Sequence, residues 1–123
     1  MNLNNYASLE ASKRLYYSDI VLDTEMCWEV GAKATRLTRW EVRSLSKSFR
    51  YAAPSMAEVW RELPEEYYKD ATDPIRYKVL MSNQVGYHSG GKDAGIWFHI
   101  ESNPADAIIY LLIRVRKEAS HEG

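Results

Sequence analysis

The chain reads as an α+β domain in the order α-β-β-α-β-β-α, an antiparallel sheet of about four strands with helices packed on one face. Three observations predict it. Capped, apolar-striped helical segments stand near the start, the middle and the end. Two pairs of stretches carry the two-residue alternation of strands, the first pair more weakly. A glycine-rich reversal separates the stronger pair.

Ser8 can cap a first helix over about Leu9 to Tyr17. Leu9, Ser12 and Tyr16 lie on one side, with Ala11 and Leu15 beside them, and Lys13 and Arg14 on the solvated side. Ile20 to Leu22 is a short extended piece. Met26, Trp28 and Val30 then alternate with Cys27, Glu29 and Gly31, the period of a half-buried strand. Leu37 to Val42 is its expected hairpin partner across a loose turn at Gly31 to Ala34, and Arg36, Arg39 and Arg43 fit a solvated edge. Ser44 to Ala53 reads as a connecting loop.

The central helix has its start, buried face and stop written locally. Ser55 and Glu58 have capping-box spacing, and Met56, Val59, Trp60 and Leu63 form one apolar stripe. Pro64 ends it, lacking an N–H and disfavouring helix at the preceding residue. An acidic connection follows from Glu65 to Pro74. Ile75, Tyr77, Val79 and Met81 next alternate with Arg76, Lys78 and Leu80, and Ile96, Phe98 and Ile100 alternate with Trp97, His99 and Glu101. With Ser89-Gly-Gly-Lys-Asp93 between them, the two read as one long antiparallel hairpin. Asn103 caps the last helix, Pro104 suits its first position and Asp106 its positive end. Ile108, Leu111, Leu112 and Val115 are its core stripe, broadened by Ile109 and Ile113. Arg114, Arg116 and Lys117 complement its negative end, and a frayed tail is expected from about 118 to 123.

At 123 residues the chain is a single domain, with an ordinary 46% apolar and 27% charged residues. A net charge of −1 argues against a surface that grips nucleic acid all over, and leaves room for a local basic patch. Nine Tyr and four Trp against two Phe favour amphipathic aromatics, which suit pockets and interfaces as well as a small core. The lone Cys27 allows no intramolecular disulfide and fits a reducing compartment. With no signal-like start and no apolar run of membrane-spanning length, a cytoplasmic protein is expected.

No motif names a reaction, and no catalytic residue, metal or cofactor is expected. His88, His99 and His121 lack enough companion ligands, so solvated histidines outweigh a metal site. Ser89-Gly-Gly-Lys92 lacks the spacing and following helix of a phosphate loop. Glu65, Glu66, Asp70 and Asp73 suit a solvated loop better than an acid–base pair. Cys27 fits a half-buried structural thiol better than a nucleophile, and Trp28 and Trp60 fit the core better than a site.

Ser8-Leu-Glu-Ala-Ser-Lys-Arg-Leu15 with Ile20-Val-Leu-Asp-Thr-Glu25, the central Ala53 to Pro64, and Asn103-Pro-Ala-Asp-Ala-Ile-Ile-Tyr-Leu-Leu-Ile113 form three ordered blocks. Together they resemble a group of small uncharacterised proteins encoded by bacteriophages and prophages, over roughly a third of the chain. Over Ile108 to Arg114, where such relatives often have Leu-Ile-Asp-Leu-Leu-Ile-Trp, Tyr110 and Arg114 depart from the family pattern. The resemblance implies a viral or proviral origin inside a bacterial host, and no catalytic residues.

The expected ligand-binding set is Arg76, Lys78, Trp97 and His99, taken to share the outward face of the hairpin. An aromatic beside cations on an open sheet stacks a base and holds a phosphate, and the same face would also serve a homodimer interface. The expected function is a non-enzymatic accessory protein that binds a host component, either a defence protein or a small nucleotide signal. The alternative is a single-stranded nucleic-acid-binding module, which Arg114, Arg116 and Lys117 also motivate.

Overall fold

The computed structural model describes residues 5–68 and 72–121. Helix α1 (Leu9–Tyr17) starts at Ser8, whose hydroxyl accepts from the Ala11 N–H at 3.2 Å. Strands β1 (Met26–Val30), β2 (Thr35–Arg39) and β3 (Phe49–Ala52) form an antiparallel sheet in the order β2-β1-β3. Helix α2 (Met56–Glu62) follows with the expected capping box: Ser55 Oγ accepts from Glu58 N at 3.1 Å, and Glu58 Oε1 from Ser55 N at 2.8 Å. Strands β4 (Glu66–Tyr67), β5 (Arg76–Leu80), β6 (Gln84–His88) and β7 (Ile96–His99) make a second antiparallel sheet in sequence order. Helix α3 (Pro104–His121) closes the chain. Asn103 Oδ1 accepts from Ala105 N at 3.0 Å, and Asp106 accepts from Ser8 N at 2.8 Å, tying the starts of α3 and α1 together.

The α+β class and the helix–strand order match the sequence reading, with several corrections of detail. The strands divide between two sheets instead of forming one. β3 occupies part of the expected loop 44–53, because its edge satisfies its backbone groups against β1. β4 lies in the expected connection, of which residues 69–71 fall outside the described part. The expected hairpin of 75–81 with 96–100 does not form. A tight reversal, with Met81 N donating to Gln84 O at 2.8 Å, inserts β6 between them. α3 continues as helix to His121, past the expected fraying point, and residues 122–123 lie outside the described part.

The apolar core joins the three helices to the second sheet. Ala11 and Leu15 of α1, Val59 of α2, Val85 and Tyr87 of β6, and Ile108, Leu111 and Leu112 of α3 are fully or almost fully buried in it. Tyr87 donates its hydroxyl to Pro64 O at 2.7 Å, and burial pushes its phenol pKa up. Gly86 sits where no side chain fits, since a Cβ there would run into the Ile96 carbonyl and the Trp97 ring.

The first sheet is organised differently. Its buried side carries Cys27 and Glu29, and Glu29 is wholly out of water. Arg36 Nε donates to Glu29 Oε1 at 2.8 Å, while Oε2 accepts from Ser48 Oγ at 2.8 Å and from Arg50 Nε and Leu45 N, each at 3.0 Å. The two arginines also donate to the carbonyls of Trp40, Val42 and Arg43, so the segment 40–48 is held down over the sheet. Arg36, expected at a solvated edge, keeps 36% of its side chain exposed while pairing with the buried Glu29. Cys27, expected half-buried, is fully buried, and desolvation raises its thiol pKa. The apolar alternates Trp28, Val30, Leu37, Phe49 and Tyr51 share the other face, and each is partly or well exposed.

Burial alone would raise the Glu29 pKa, but the hydrogen bonds from Ser48, Arg50, Arg36 and the Leu45 N–H outweigh it and bring it from 4.5 to about 2. A depressed carboxylate pKa stabilises the fold above the unfolded-state value, and that stability is lost as pH falls from near 4.5 through 2. Thermal melts between pH 7 and pH 2 should therefore show a steep acid limb. Glu29→Gln should flatten that limb and lower Tm at pH 7 by several degrees. Gly86→Ala should cost about 1–3 kcal/mol in chemical denaturation, because β7 must move to admit the methyl group.

Candidate functional site: a basic aromatic groove between two helices

The four residues expected to form one site do not share a face. Register places Arg76, Lys78 and Leu80 on the same side of the sheet as Val85, Tyr87, Ile96 and Phe98, which is the helix side. Trp97 and His99 lie on the opposite side with Gly86 and Tyr77. The alternation in β5 is inverted relative to expectation, and Ile75, Tyr77 and Met81 are about half exposed instead of buried.

Three of the four have internal partners. The Lys78 side chain is only 7% exposed, and its ammonium donates to Trp60 O at 2.9 Å and Leu63 O at 3.2 Å, with Glu65 at 3.2 Å. It also lies over the Trp60 ring, 4.7 Å from the centroid, so a cation closes the negative end of α2. Arg76 pairs with Asp93 through two hydrogen bonds of 2.9 and 3.2 Å. Arg76 is the main influence holding the Asp93 carboxyl well below the usual range, aided by Gly95 N–H and by Ser89, against the effect of burial. Trp97 donates its indole N–H to Ala94 O at 3.0 Å and packs against the His88 ring.

His88 Nδ1 accepts from Gly90 N at 2.8 Å, which puts the ring proton on Nε2, facing the Asp93 carbonyl. The glycine-rich reversal is thus a self-knit loop built on Asp93. His99 sits instead in a cleft of about 320 Å³ with Glu10, Glu101 and Asp106. Among the described residues, no group of His, Cys, Asp or Glu is arranged to hold a metal ion.

A better-formed site lies where the end of α1 meets α3 and β7. There a groove of about 700 Å³ is lined by Arg14, Tyr17, Phe98, Tyr110, Ile113, Arg114 and Lys117, with Ser18 and Glu118 completing it. Helical spacing explains the assembly: Tyr110, Ile113, Arg114 and Lys117 fall at i, i+3, i+4 and i+7 on α3, and Arg14, Tyr17 and Ser18 at i, i+3 and i+4 on α1. Phe98 supplies the floor from β7. The volume falls within the range of small-ligand sites.

Three cations stand around this floor against one acid. The Arg14 guanidinium lies 5.2 Å from the centroid of the Tyr110 ring. Its nearest acid is Glu10 at 4.0 Å, both side chains being well exposed. Arg114 contacts Glu118 at 3.3 Å. Burial is the main influence raising the Tyr110 phenol, followed by Asp106, so the ring meets the groove as a neutral donor. From the sequence, Arg14 reads as solvated, Phe98 as core, and Arg114 and Lys117 as complements of a helix end. The signal available in the sequence was the spacing on the last helix, which sets Tyr110, Ile113, Arg114 and Lys117 along one side.

No family model, curated protein or solved structure matches the chain. Among the described residues, no helix is long and apolar enough to cross a membrane.

Lys78→Ala tests the division of roles on the second sheet. In chemical denaturation it should cost about 1–3 kcal/mol, because Leu63 O loses the Lys78 donor and Trp60 O keeps only the Leu63 N–H at 3.2 Å.

Proposed function

We propose that the chain is a non-enzymatic binding protein whose groove between α1 and α3 takes a small organic anion of the nucleotide class. The observation that carries this reading is the ring of Arg14, Arg114 and Lys117 around a floor of Phe98, Tyr110 and Ile113. Apolar and aromatic surface accepts a flat ring, and the guanidinium and ammonium groups accept a phosphate. The resemblance to phage-encoded proteins gives the reading a context. A viral protein in a bacterial cytoplasm that holds a nucleotide would withdraw a host signal from its receptor. The groove residues carry this reading instead of Arg76, Lys78, Trp97 and His99, because Arg76 and Lys78 are largely buried in internal ion pairs and lie on the other sheet face from Trp97 and His99.

Native mass spectrometry of gently purified protein, followed by denaturing release, tests the reading directly. A co-purifying nucleotide mass supports it, whereas a dimer without ligand points to self-association or a host protein partner. Isothermal titration with the nucleoside monophosphates, and with ribose 5-phosphate as a ringless control, gives the second arm. Arg14→Ala and Arg114→Ala should each weaken binding about tenfold, the loss of one charge-assisted hydrogen bond. Absence of heat with every nucleotide at millimolar concentration would remove the reading.

A further inference from the structure

Beside the groove lies a second group of aromatic rings that the binding of a mononucleotide leaves unused. Tyr16 makes edge-on contacts with Tyr17 at 5.3 Å, Phe49 at 5.3 Å and Tyr51 at 5.5 Å, and Phe49 and Tyr51 are 4.7 Å apart. Tyr17 is 70% exposed, Tyr16 49% and Phe49 46%. Such rings are costly to leave in water unless a partner covers them. A cation stands beside the cluster: Lys13 Nζ lies 5.8 Å from the centroid of the Tyr51 ring. Arg14, the next residue of α1, already belongs to the groove.

Tyr17 joins the two regions. It lines the groove and packs edge-on against Tyr16, which in turn meets Tyr51 and Phe49. The surface therefore runs without a break from Lys117 and Arg114, past Arg14 and Tyr17, to Tyr16, Lys13 and Phe49. Flat rings with interleaved cations suit a polymer whose repeat is a flat base and a phosphate. A peptide partner would need hydrogen-bonding edges or an acidic pattern to match, whereas a single strand needs only stacking surface and positive charge.

We infer that this strip binds single-stranded nucleic acid, with one nucleotide seated in the groove and the following bases stacked along Tyr17, Tyr16 and Phe49. The inference rests on the nucleotide reading of the groove and extends it from one unit to a strand of about four or more, the lower end of single-strand site sizes. Stacking and phosphate charge carry the recognition, so the strip does not distinguish ribose from deoxyribose, and oligo(dT) and oligo(U) are held alike. A duplex keeps its bases stacked on each other and is not held.

Fluorescence anisotropy with labelled dT12, U12 and a 12-bp duplex, beside calorimetry with TMP, tests this on the full chain. The expected result is at least tenfold tighter binding of dT12 and U12 than of TMP, with no comparable gain for the duplex. Affinity should fall with salt with a log–log slope of about −2 to −3, as for three or four phosphates neutralised on a single strand. Phe49→Ala and Tyr16→Ala should each weaken dT12 about tenfold and leave TMP unchanged. Lys13→Gln, at a site with no packing role in the core, should reduce the salt slope by about 0.7 even if an aromatic variant fails to fold.

If TMP binds and dT12 gains nothing over it, the strand inference is overturned while the groove reading stands. If neither binds, both fall. A dimer whose interface protects Tyr16 and Phe49 from labelling would also overturn it, assigning the strip to a second copy of the chain.

Discussion

A carboxylate removed from water must find partners, and Glu29 determines how the first half of the chain is built. Its two oxygens collect donors from Arg36, Arg50, Ser48 and the Leu45 backbone. The same arginines hold the carbonyls of the segment 40–48, so a stretch with little apolar content of its own closes over the sheet. Removing one member of such a network leaves the others buried without partners, which is why the whole set stands or falls together. The consequence is an inverted sheet. The ionic alternates lie on the covered side, and of the apolar alternates on the other side Met26 is buried while Trp28, Val30, Leu37, Phe49 and Tyr51 stay partly or well exposed.

That inversion supplies the exposed aromatic surface. In an ordinary two-layer arrangement Phe49 and Tyr51 would lie beneath a helix. Here α1 runs only along the edge strand β3 and places Tyr16 and Tyr17 beside them. The groove arises from a similar economy of contact: α1 and α3 are tied at their starts by the Ser8–Asp106 and Asn103–Tyr6 hydrogen bonds, and the groove opens at the end of α1. Around this opening the side chains are long and charged, so the gap is lined by cations on an apolar floor.

The second sheet shows how a plausible site is dissolved by its own ion pairs. Lys78 and Arg76 are positioned by what they satisfy inside the protein, the end of α2 and the carboxylate at the centre of the 88–95 loop. A lysine that replaces missing donors at a helix C-terminus is a structural group. Trp97 likewise lies across Gly86, filling the space a strand glycine leaves.

The sequence by itself determined the three helices, their caps and their apolar stripes. Ser8, Ser55 with Glu58, and Asn103 act on backbone groups within three residues, so their effect is complete before any tertiary contact forms. It also determined that strands lie within 26–31, 75–81 and 96–101, since alternation is local. Only the tertiary structure decided which strands pair and which face each one buries. The period of two is indifferent to which face is buried, and the choice rests on distant groups: the end of α2 for Lys78, and the loop donors around Glu29. The groove was hidden for the same reason, because Arg14, Phe98, Tyr110 and Arg114 come from three elements, and only packing brings them together.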